Sequence, residues 1–94
     1  MPNRRGGGVI CALHFSRMPN VFTKNGFRFF FYSNDHTPLH VHVRKGGGEA
    51  VFEIGSRVRL RESAGMKTSE ILRAEELARE HRTLIITKWH EHFD

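Results

Sequence analysis

Strand-length apolar segments, two of them alternating with period two, recur along residues 27–61, and a helical period takes over beyond Gly65. Phe27-Arg28-Phe29-Phe30-Phe31-Tyr32 is aromatic, β-prone and of strand length. Ser33 to Pro38 is a loop by composition. His40-Val41-His42-Val43-Arg44 alternates strictly and predicts a strand with one apolar face. Lys45-Gly46-Gly47-Gly48 is a turn in which positive φ costs little, and Glu49 to Ile54 returns as the second arm of a hairpin. After Gly55-Ser56, Arg57-Val58-Arg59-Leu60-Arg61 alternates again. From Thr68 or Ser69, either a good N-cap, Ile71, Leu72, Ala74, Leu77 and Ala78 mark one apolar stripe. Leu84, Ile85, Trp89 and Phe93 mark a second, which predicts two consecutive helices with a bend near His81-Arg82-Thr83, or one long bent helix. The predicted class is α+β: a small antiparallel sheet of three to four strands, followed by two C-terminal helices packed on one face.

The same alternation sorts side chains between the sheet faces. With Phe27, Phe29, Phe31, Val41, Val43, Ala50, Phe52, Ile54, Val58 and Leu60 turned toward the helices, the opposite face collects Arg28, Phe30, Tyr32, His40, His42 and Arg44. Glu49, Val51, Glu53, Arg57, Arg59 and Arg61 join them. A solvated antiparallel face commonly looks like this. The mix of arginine with Phe30 and Tyr32 also fits RNA, with guanidiniums on phosphates and an aromatic ring under a base.

Composition narrows the picture. The chain has 94 residues, room for one domain. Its longest apolar run is about five residues against the ~20 of a membrane span. The single cysteine, Cys11, excludes an internal disulfide or a cysteine zinc cluster and fits a reducing cytoplasm. The formal net charge is +5. Residues 1–17 supply three arginines and no acid, residues 18–61 carry seven bases against three acids, and residues 66–94 carry five against six. Basic surface therefore belongs to the first half of the domain. Residues 1–17 hold a glycine run and a short apolar patch without a signal-type cleavage site, and Met18-Pro19-Asn20 repeats Met1-Pro2-Asn3. They are read as a flexible N-terminal extension to a single domain over residues 18–94.

Seven histidines is a high count for this length. His40 and His42 fall about 6.6 Å apart on one strand face, close enough to converge on one metal such as zinc. Asp35 or His36 from the preceding loop is placed to supply a third ligand. Without metal, two imidazoles beside arginines suit general acid–base chemistry on an RNA phosphodiester. A purely structural network holding Asp35 is the plain alternative. His90 and His92, two apart on a helix, are a poor chelating pair, and Trp89 reads as a core anchor.

The order Met18-Pro19-Asn20-Val21, Gly26-Phe27-Arg28-Phe29-Phe30-Phe31-Tyr32-Ser33-Asn34, Pro38-Leu39-His40-Val41-His42-Val43, the glycine turn and Trp89-His90-Glu91-His92-Phe93 resembles the bacterial domain of unknown function 4160. The resemblance runs from Met18 to Phe93. Two departures stand out: Leu39 replaces a second proline, and Lys67 occupies the start of the usual Ser-x-x-Glu capping box. The resemblance implies a toxin–antitoxin-type module, with a small partner protein of the domain of unknown function 2442 type encoded nearby and RNA or DNA as a further partner. Its histidines map onto His40 and His42, and its acidic loop residue onto Asp35.

The leading expectation is a binding module that engages RNA or a small protein through Arg28, Tyr32, His40, His42 and Arg44. The alternative is a His-dependent ribonuclease, or a metal hydrolase using His40 and His42 with Asp35 or His36. An exposed edge strand also makes a homodimer an expectation.

Overall fold

The computed structural model describes residues 20–93; the extension expected at residues 1–17 lies outside them. Five strands form one antiparallel sheet in chain order. They are β1 (Asn20–Lys24), β2 (Phe27–Phe30), β3 (His40–Lys45), β4 (Gly48–Ile54) and β5 (Val58–Ala64). Two helices follow, α1 (Thr68–Glu80) and α2 (Arg82–Phe93). The α+β class stands, with one more strand than expected.

The added strand is β1. Its residues are exposed or half-buried, so its apolar alternation is faint. Asn25 and Gly26 take φ of 54° and 81°, the two positive values that a tight hairpin linking β1 to β2 requires. The break between helices falls at His81, as the apolar stripes indicate. His81 packs there, its ring 4.2 Å from that of Phe22. The start of α1 differs from expectation: Lys67 is the N-cap, not Thr68 or Ser69. The Glu70 carboxylate accepts the Lys67 N–H at 2.9 Å, meeting a helix-end donor without a hydroxyl cap.

The helices cover one sheet face. Phe29, Phe31, Val41, Val43, Ala50 and Phe52 pack against Ala74, Leu77, Ala78, Ile85 and Trp89. Full burial of each large side chain contributes about 1.5–3 kcal/mol. The small side chains at Ala74 and Ala78 let α1 lie close to the sheet.

The other face is less open than alternation suggests. Phe30 is 0% exposed and Val51 8%. His42 stacks on Phe30 at 5.6 Å, Tyr32 meets its edge at 5.4 Å, and the Arg28 and Arg44 guanidiniums lie 5.3 and 5.7 Å from its centroid. Phe30 is therefore the centre of a second small aromatic cluster and offers no surface to a base.

Strand β5 departs most from simple alternation. Leu60 pairs with Phe52 and Glu62 with Val51, so Arg61 is the extra residue of a β-bulge. Unbroken alternation would set Arg61 opposite Val51 and turn Glu62 under the helices. The bulge returns Glu62 to the histidine face. Leu60, expected inside, is 43% exposed, because it lies on the free edge of the sheet. Arg57 leaves the face altogether: it sits in the turn before β5 and lines a hollow with Glu75, Arg79 and Arg82.

Candidate metal centre

The β2–β3 loop folds back onto one end of β3. The turn after β2 is closed by the Asp35 N–H donating to the Tyr32 carbonyl at 3.1 Å. The Tyr32 N–H donates in return to Asp35 Oδ2 at 2.9 Å. Asp35 is thereby aimed at β3 by backbone geometry. His40 and His42, two apart on β3, turn the same way, as the period of the strand requires.

The donor atoms converge. His40 Nε2 lies 3.2 Å from Asp35 Oδ1. His42 Nε2 lies 3.2 Å from both carboxylate oxygens. One ligand atom from each residue fits within 4.8 Å of the others, the only such group among the described residues. All three side chains are largely enclosed, with exposures of 7%, 10% and 16% for His40, Asp35 and His42.

The protons matter. A carbonyl only accepts, so the 2.7 Å contact between His40 Nδ1 and the Pro38 oxygen requires a proton on Nδ1. In the neutral ring this leaves Nε2 as a bare lone pair facing a carboxylate oxygen. Two acceptors held together call for a cation between them, either a second proton or a metal. Zinc bonds of about 2.0–2.1 Å in tetrahedral array separate neighbouring ligand atoms by about 3.3 Å, close to the 3.2 Å of the two histidine–Asp35 pairs. The Nδ1–H to carbonyl bond is also the usual way a protein fixes a metal-binding imidazole.

Burial pushes the His42 imidazole below its ordinary value of 6.5. The neighbouring Asp35 carboxylate pulls the other way, by charge and by hydrogen bond, and burial outweighs it. His42 is thus held neutral, the form that ligates. The His42 ring also contacts Tyr32 at 4.5 Å, and that of His40 contacts Trp89 at 5.4 Å, so both imidazoles are braced from the side.

Beside the cluster lies a cleft of about 310 Å³ whose walls include Asn34, Thr37, Arg61 and Glu62. His36 lines it as well but falls outside the converging set, so Asp35 takes the place left open between them. Arg44 is held by Glu49 at 2.9 Å, which keeps its guanidinium charged and spends it on its own sheet. Arg28 is the cross-strand neighbour of Arg44, and its buried Nε makes no hydrogen bond. Glu62 was not expected at the site. The only hint in the sequence is the charged doublet Arg61-Glu62, which interrupts the alternation.

A five-stranded antiparallel sheet under two helices, with one carboxylate and two imidazoles converging beside a polar cleft, defines a small α+β domain with a metal-capable site. The chain belongs to the family described as Domain of unknown function (DUF4160), which matches residues 26–90. That span contains Asp35, His40, His42, Arg61 and Glu62. No curated protein and no solved structure matches the chain. Among the described residues, no helix is long and apolar enough to cross a membrane.

Proposed function

We propose that the domain is a metal-dependent hydrolase whose divalent cation, zinc by preference, is held by Asp35, His40 and His42. The observation that carries this reading is the convergence of three ligand atoms within 4.8 Å at the edge of a cleft. Three protein ligands beside open space suit a catalytic site, whereas structural zinc takes four. When bound, the cation would polarise substrate and acidify water. The chain supplies the rest: Pro38 fixes the tautomer of His40, Tyr32 anchors Asp35, and burial keeps His42 neutral.

Zinc titration of the metal-free protein, followed by calorimetry, tests this. One equivalent should bind, and His40→Ala/His42→Ala should lose it. Zinc should also switch on hydrolysis of a chromogenic ester, and EDTA should abolish it. Equal binding by the double variant defeats the metal site. Hydrolysis that survives EDTA but not the double variant points to His40 and His42 as a metal-free acid–base pair instead.

A second reading is a toxin–antitoxin-type module that binds RNA or a small protein. The half-buried Tyr32 favours it. For single-stranded RNA, log K should fall by about 0.7 per phosphate neutralised as log salt rises; salt-insensitive binding points to the protein partner.

A further inference from the structure

The bulge in β5 sets Arg61 and Glu62 side by side on the wall of the cleft that adjoins Asp35, His40 and His42. Bulges commonly re-aim a side chain at the edge of an active site. Here the register shift changes which charges the cleft contains. Without it, Glu62 would face the helices and Arg61 would stand on the cleft wall with no β5 carboxylate next to it.

We infer that this pair selects a phosphodiester, a group with one negative charge, as the substrate of the proposed metal site. The inference rests on that reading. An imidazole ligates a metal as a neutral ring, so with the cation in place the carboxylates of Asp35 and Glu62 balance its two charges, and the Arg61 guanidinium leaves the cleft with one positive charge. A phosphodiester matches that charge. A phosphomonoester, near two negative charges at neutral pH, overfills it, and a neutral carboxylic ester leaves Arg61 without a partner. Guanidinium also suits the group's two free oxygens, which it can take in parallel. Asn34 and Thr37 add side-chain hydrogen-bonding groups to the walls. The volume of about 310 Å³ sits at the low end for small-ligand sites, enough for one linkage with its nearest substituents. In the reaction, water oxygen bonds to phosphorus and one ester P–O bond breaks. The two protons of water end on the phosphomonoester product and the released alcohol.

Arg61 is the residue that touches substrate oxygen, and Glu62 sets the charge of the cleft. The experiment begins with a zinc titration of wild type, Arg61→Gln and Glu62→Gln, so that the metal site is judged before any substrate is added. Zinc-loaded wild type should hydrolyse bis(p-nitrophenyl) phosphate in preference to p-nitrophenyl phosphate. Arg61→Gln should bind zinc normally yet lose about 10- to 100-fold in kcat/KM for the diester. Glu62→Gln, which raises the charge of the cleft by one, should shift the preference toward the monoester. Binding of a dinucleotide monophosphate, followed by NMR shifts at Arg61, gives a readout independent of turnover. A short single-stranded RNA distinguishes the source: tighter binding than the dinucleotide marks a nucleic-acid backbone, and equal binding marks a small diester.

Unchanged diester turnover and dinucleotide binding in Arg61→Gln, with zinc bound, overturns the inference and leaves the metal site standing. So does a wild-type preference for the monoester. Failure of wild type to bind zinc overturns the metal reading itself, and the charge balance falls with it.

Discussion

Asp35 Oδ2 accepts the Tyr32 N–H, and both carboxylate oxygens face imidazole nitrogen, so the backbone positions this side chain before any cation arrives. His42 is held by opposing forces, burial against the carboxylate, and burial wins. This has a consequence for the metal-free protein. Below its ordinary value of 6.5, His42 takes up a proton in the unfolded chain that the folded chain still refuses. The unfolded state then binds more protons, so stability is complete above that pH and falls on acidification until the folded imidazole itself titrates. Urea unfolding at about pH 7.5 and about pH 5.5 measures it. Wild type should lose more stability between the two than His42→Gln does, and an equal loss in both contradicts the placement of His42. Asp35 and the two histidines are legible in the sequence as a loop acid ahead of a His-x-His strand. Which of Asp35 and His36 completes the set is not, because adjacent loop residues differ only in where the turn points them.

At the scale of elements, the β3–β4 hairpin and the exit from β5 must meet closely. A Cβ on Gly48 would lie 2.6 Å from the Gly65 carbonyl oxygen and 2.7 Å from Met66 Cγ, whereas one on Gly47 would meet nothing within 4 Å. Gly48→Ala should therefore cost about 1–3 kcal/mol through overpacking against backbone, with Gly47→Ala close to neutral. Chemical denaturation of the two variants checks this; similar losses would deny the contact. Strand β3 follows from strict alternation, β2 from its aromatic β-prone composition and β4 from the glycine turn before it. Two elements were hidden. Strand β1 carries too few buried side chains to show a period, though its Asn25-Gly26 turn is a sound hairpin signal. The bulge in β5 depends on how β4 and the helices accept a strand edge, which local pattern does not encode.

For the whole molecule, the candidate site ties together the β2–β3 loop, the sheet and, through the contact of His40 with Trp89, helix α2. A ligand that binds only this assembled arrangement stabilises the fold by mass action. At zinc about a hundredfold above Kd the gain is about 2.7 kcal/mol, and each kcal/mol raises Tm by roughly 4–8 °C in a domain of this size. Thermal unfolding should thus shift upward by at least about 10 °C, reverse with EDTA, and stay unchanged in His40→Ala/His42→Ala. An equal shift in that variant would place zinc elsewhere.

The sequence alone determined the α+β class, the helical C-terminal part with a bend near His81-Arg82-Thr83, the helix-facing aromatic residues and the identity of His40 and His42, with Asp35 or His36 ahead of them, as chemistry-bearing residues. Each of these follows from short-range periodicity or from spacing within one loop and strand. Tertiary structure decided which charges face the cleft. It sealed Phe30 beneath Arg28 and Arg44, paired Arg44 with Glu49, moved Arg57 toward the helices and turned Glu62 onto the histidine face. Those outcomes depend on strand order, register and one bulge, quantities set by the packing of distant segments against one another.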